Sequence, residues 1–224
     1  MTEKKAKIIC LIVAILVLVL AFVVEIFIRP EYLIKCIIKI STFGGVILLY
    51  SALSKKKLVD IIDLKKPEKI GTLIGGIAFF FVGMIVVFLI FKNQINLSGI
   101  KESLGAKEGF TRENCLYAFA YIIICNSFLE EAFFRGFLPR LFTKKWPGFI
   151  VSAFLFSAYH IGIFGTWFSI PLLMVAVTGL VLVALFLQWI NAHYKTIVAN
   201  WLVHASANIV INFIGVLLFF DILK

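Results

Sequence analysis

Residues 121–140 read YIIICNSFLEEAFFRGFLPR and set Asn126, Ser127, Glu130, Glu131 and Arg135 into an otherwise apolar run. A charged side chain at the centre of a membrane helix costs about 2.5 to 3.5 kcal/mol even on the most lenient insertion scale, so such residues face a bundle interior or a wet cavity. Two adjacent glutamates there need a reason. On a helix Ser127, Glu131 and Arg135 recur every four residues, so Glu131 and Arg135 can pair on one face, while Glu130 points about 100° away, beside Asn126. A structural ion pair accounts for Glu131 and Arg135. It leaves Glu130 free, and a free buried carboxylate can take a proton from water.

Two further apolar runs carry groups that could work with it. FLFSAYH places Phe156 and His160 one turn apart, and NWLVHASAN opens a stripe in which Asn200, His204, Asn208 and Asn212 recur every four residues. A lone histidine in such a run is more often hydrogen-bonded structure than chemistry. Asn200 and Asn212 read as helix-to-helix glue, at about 1 kcal/mol or less per bond. Counted from the inner end of each run at 1.5 Å per residue, Glu130, His160 and His204 all fall about 10 to 18 Å deep, so one layer can hold them. A carboxylate, two histidines and an amide in a protected cavity make a hydrolytic site: Glu activates water, one His orients or shares it, and donors stabilise an oxyanion. None of Ser127, Ser157 and Ser206 sits in a GxSxG elbow, and no serine or cysteine nucleophile is required.

The elements that must position these groups follow from composition. The 224 residues are 62% hydrophobic and only 15% charged, far more apolar than a soluble domain. The fold class expected is all-α, a polytopic transmembrane helical bundle with the site between helices. Apolar runs of spanning length lie at about 8–28, 33–53, 70–91, 116–138, 148–165, 167–190 and 197–220, giving about seven spans. The first follows Lys4, Lys5 and Lys7 but is long and lacks a small-residue cleavage site, so it reads as a retained helix. The net charge of +10 belongs to loops rather than to nucleic-acid binding. With the N-terminus cytoplasmic, the inner segments hold Lys4, Lys5, Lys7, Lys55, Lys56, Lys57, Lys65, Lys66, Lys69, Arg135, Arg140, Lys144, Lys145 and Lys195. The outer ones hold Arg29, Lys35, Lys39, Lys92, Lys101, Lys107, Arg112 and Lys224, so the positive-inside rule favours a cytoplasmic N-terminus and an external C-terminus in the plasma membrane. Spans one to three read as almost wholly apolar. The four cysteines form no CxxC pair and suggest no disulfide framework.

The order EExxxR (Glu130, Glu131, Arg135), FxxxH (Phe156, His160) and HxxxN (His204, Asn208), each motif on its own span, resembles the CPBP family. This family, also called ABI, comprises the type II CAAX prenyl endopeptidases and bacteriocin-processing or immunity proteins. The resemblance covers about residues 111–216 and suggests an N-terminal transmembrane region of about three spans (1–110) ahead of a protease-like domain of about four (111–224). It implies an intramembrane endopeptidase acting on a membrane-associated peptide or protein. Glu130 would be the general base, His160 would hold the water, His204 and Asn208 would line the oxyanion hole, Glu131 and Arg135 would support the electrostatics, and Phe156 would pack under His160. Two other classes stand beside this reading. A non-catalytic bacteriocin-immunity or partner-binding protein would be expected to carry a degraded motif. A proton-coupled transporter would be expected to show repeat symmetry and broken helices.

The family has been described both as metal-dependent and as glutamate-based. A zinc ion would draw on Glu130, His160 and His204. No cofactor is the expectation favoured here, because the two histidines come from separate helices and Glu131, the one carboxylate available to orient them, is assigned to Arg135.

Overall fold

The computed structural model describes residues 2–68, 70–165 and 167–223. Lys69 and Lys224, both used in the charge comparison above, lie outside the described residues. Among the described residues the elements are helices without strands. Seven helices have the length and composition to cross a membrane: Glu3–Ile28, Tyr32–Ser54, Ile70–Gln94, Cys115–Leu141, Lys145–Phe164, Ile170–Tyr194 and Ile197–Phe219, called spans one to seven in that order. Each overlaps the run expected from the sequence, and the chain is a multi-pass membrane protein.

One core ties the N-terminal spans to the C-terminal ones. Span one presents Ala6, Cys10 and Ala14, all fully buried, at intervals of four. Small side chains at that spacing let backbones approach closely, which is how membrane helices associate when lipid removes the hydrophobic drive. Phe43, Val46, Ile47 and Tyr50 of span two fill the same core, together with Phe133, Phe134, Phe137 and Leu138 of span four and Phe156 and Tyr159 of span five. Phe43 stacks on Phe133, with ring centroids 4.2 Å apart. Span three is held differently. Of its residues Leu73 is buried, and it packs with Ile77 and Phe80 against Leu187, Ile190, Ala199 and Val203, leaving most of its surface exposed, as a lipid-facing helix must be.

The charged connection between spans two and three is tied down rather than loose. Arg140 pairs with Asp63, Ile197 N–H donates to Asp63 O at 3.2 Å, and Thr196 Oγ1 donates to Lys65 O at 2.5 Å. These bonds hold the ends of spans four and seven together beneath the site.

Span four departs from a uniform α-helix. The α-helical turn Ser127–Glu131 lies between two π-helical segments, Ile122–Asn126 and Ala132–Phe137. A widened turn loosens backbone pairing, and carbonyls freed inside a membrane need partners from neighbouring helices. Side chains of spans five and six supply them. Ser152 Oγ and Gln188 Nε2 both donate to Phe134 O, the latter at 2.9 Å, and Asn191 Nδ2 donates to Arg135 O at 3.1 Å. Gly136 lets this segment lie directly on the inter-span connection, since a Cβ there would meet Ile62 Cα at 2.9 Å.

Candidate active site

The two glutamates occupy the α-helical turn between the π-helical segments, both buried, at 2% and 0% exposure. Glu131 Oε1 lies 3.1 Å from Arg135 Nη1, the pair expected from their spacing. The same oxygen accepts from His204 Nδ1 at 2.8 Å. The expectation that Glu131 is spent on Arg135 and cannot orient a histidine is therefore corrected. One oxygen serves both, because span seven brings His204 against the turn that carries the carboxylates.

That bond sets the ring of His204. With Nδ1–H donated to the carboxylate, Nε2 faces Glu130 Oε2 across 3.8 Å. The gap is longer than a hydrogen bond. His160 is fixed in a similar way: its Nδ1 meets Phe156 O at 2.8 Å, and since a carbonyl can only accept, Nδ1 carries the proton and Nε2 is left as an acceptor. Phe156 sits among these groups, its ring centroid 4.4 Å from that of His160 and 6.1 Å from that of His204. The Arg135 guanidinium lies over its face at 4.1 Å, which offers a fully buried cation an electrostatic partner besides Glu131.

Glu130 is not free. Lys39 of span two donates to its Oε1 at 2.5 Å and to Asn126 Oδ1 at 2.6 Å, and Asn126 Nδ2 also donates to Glu130 Oε1 at 3.2 Å. The Lys39 ammonium lies 4.8 Å from the centroid of Tyr159, the residue next to His160. Sequence reasoning put Lys39 and Lys35 in an outer segment, and the structure corrects this: both lie within span two. Lys35 is bonded to Glu25 at 2.6 Å and to Glu108 at 3.1 Å. The signal was their spacing of four at the start of an apolar run, which sets both on one helical face.

The remaining expected residues divide. Asn208 lies one turn from His204 on the same stripe, half-buried, and its backbone carbonyl accepts from Asn212 Nδ2 at 2.7 Å. Asn200 donates to Leu187 O at 2.8 Å, an interhelical bond as its structural reading required. Gln188, Asn191 and Ser152, which hold the π-helical backbone of span four, went unassigned in the sequence, although Gln188 and Asn191 are two polar residues one turn apart in an apolar span.

Residues 112–210 match the family model described as type II CAAX prenyl endopeptidase Rce1-like. The segment that carries the site is similar to this family. That family is one of CAAX-protease-like intramembrane endopeptidases, and the matched residues contain all three motifs. No curated protein and no solved structure shows a significant match to the chain.

The Lys39 ammonium lies 2.5 Å from Glu130 Oε1, where it would repel a dication bound to that carboxylate. Among the described residues, no three His, Cys, Asp or Glu side chains are grouped so as to hold a metal.

Proposed function

We propose that the chain hydrolyses peptide bonds of a membrane-associated peptide or protein with a water activated by Glu130. The observation that carries this reading is the asymmetry of Glu130: Oε1 is engaged by Lys39 and Asn126, while Oε2 faces His204 Nε2 across 3.8 Å. A water between these groups can give one proton to Oε2 while His160 Nε2 accepts its other hydrogen. The water oxygen attacks the scissile carbonyl carbon, Glu130 takes the proton, and the same proton passes to the amide nitrogen as the carbon–nitrogen bond breaks. His204, its ring held by Glu131 through Nδ1, lines the oxyanion side of the site. Asn208 adds a neutral donor from the next turn.

Charge balance supports a metal-free site. Two carboxylates, Glu130 and Glu131, face two cations, Lys39 and Arg135. A further dication would leave excess charge in a low-dielectric interior, where an unpaired charge costs several kcal/mol. The membrane orientation that goes with this reading has the N-terminus in the cytoplasm and the C-terminus outside the plasma membrane.

The test is Glu130→Gln, which keeps volume but cannot accept the proton. With the purified protein and a panel of membrane peptides that includes a farnesylated CAAX peptide, the variant should fold as the wild type does and lose about 10²- to 10⁴-fold in kcat. A folded variant with wild-type turnover would remove Glu130 as the base.

A further inference from the structure

We propose that Lys39, outside the matched segment, is a positioning residue for the reaction, and this rests on the reading of Glu130 as the general base. Its ammonium reaches across from span two and engages Oε1, leaving Oε2 as the oxygen that meets the water. Asn126 reinforces that choice from span four, since it both accepts from Lys39 and donates to Oε1. Spans two, four and five thus converge on one ammonium, with Tyr159 beside it.

The pair also matters during turnover. When Glu130 accepts the water proton its charge is lost, and the Lys39 ammonium is left without its partner in a buried setting. That cost is relieved when the proton moves on to the leaving amide nitrogen, so Lys39 favours the step that regenerates the base. No other reactant is needed. The water supplies both the hydroxyl that joins the carbonyl carbon and the proton that leaves with the amine.

Lys35 provides an internal comparison. It is a buried lysine one turn away on the same helix, salt-bridged to Glu25 and Glu108 rather than to the site. If burial and pairing of a span-two lysine were only structural, Lys35 and Lys39 would respond alike to substitution.

The experiment compares Lys39→Arg, Lys39→Gln, Lys39→Met and Lys35→Met in the full-length protein, with the farnesylated CAAX peptide as substrate and thermal stability as the check of fold. We expect Lys39→Gln and Lys39→Met to lose about 10- to 100-fold in kcat with KM little changed, the range for one hydrogen bond to a charged group. Lys39→Arg should recover most of the rate and Lys35→Met should keep it. Wild-type kcat in a folded Lys39→Gln, or a loss confined to KM, overturns the proposal. A readout independent of cleavage is the infrared difference against Glu130→Gln, which isolates the Glu130 carboxylate bands. Lys39→Met, or Lys39→Gln if the former does not fold, should shift those bands and Lys35→Met should not. Bands unmoved by loss of Lys39 overturn the proposal even if no peptide is cleaved. If Glu130→Gln remains active while Lys39→Gln is impaired, the failure lies with Glu130 as base and not with the importance of Lys39.

Discussion

Glu131→Gln tests whether one carboxylate oxygen serves both stability and chemistry. Glu131 and Arg135 are 0% and 2% exposed, and Oε1 lies 3.1 Å from the guanidinium and 2.8 Å from His204 Nδ1. Loss of the charge leaves the guanidinium without its ion-pair carboxylate, and breaking a buried pair from one side costs about 3 to 5 kcal/mol. At about 2 to 4 °C per kcal/mol for a domain of this size, the melting temperature in detergent should fall by about 6 to 20 °C. The same change removes the charged acceptor from His204, which should lower kcat about 10- to 100-fold. The double variant Glu131→Gln/Arg135→Met separates the two effects. With both charges gone it should regain most of the stability, because replacing a whole buried pair is often neutral. It should not regain activity, since His204 still lacks its carboxylate. A double variant that recovers both would refute the role of Glu131 in orienting His204, and an unchanged melting temperature in Glu131→Gln would refute the energetic weight of the pair.

His204→Ala and Asn208→Ala should each lower kcat by about 10²- to 10³-fold, the usual cost of an oxyanion donor, and steady-state kinetics showing a change in KM alone would place them in substrate binding instead. Asn200→Ala leaves Leu187 O without its donor and should cost about 1 to 3 kcal/mol of stability while sparing the rate, a contrast visible by comparing melts with turnover. Gly136→Ala should destabilise the protein, because its methyl meets Ile62 backbone at 2.9 Å; an unshifted melting curve would mean the connection between spans two and three yields easily. Cysteines introduced at positions 56 and 144 should label from the cytoplasmic side and at position 105 from outside, and the reverse pattern would invert the orientation. Elemental analysis of active protein should find far less than one zinc per chain, with turnover insensitive to chelator, whereas stoichiometric zinc restoring a chelated enzyme would replace the glutamate mechanism.

Much of this arrangement is legible in the sequence because a bilayer leaves few alternatives: apolar runs of about 20 residues must be helices, and a charge inside one must meet a partner. That logic located Glu131 beside Arg135 through local spacing alone. It misplaced Lys39 because hydropathy treats a lysine seven residues into a span as a candidate for the interface, and only the packing of span two on span four reveals the carboxylate that Lys39 reaches. The partnership of Glu131 with His204 was hidden for the same reason, their separation of 73 positions along the chain.

The π-helical segments were illegible for a different reason. FLEEAFFRGF has the composition of an ordinary helix, and nothing in its periodicity marks where the turns widen. The indication lies in other spans, where Ser152, Gln188 and Asn191 donate to the carbonyls of Phe134 and Arg135. A polar side chain in an apolar span therefore need not be a site residue. Some of those in this chain hold the backbone on which the site residues are mounted: Gln188 and Asn191 donate to carbonyls of span four, whereas Lys39 and His204 reach the two glutamates themselves.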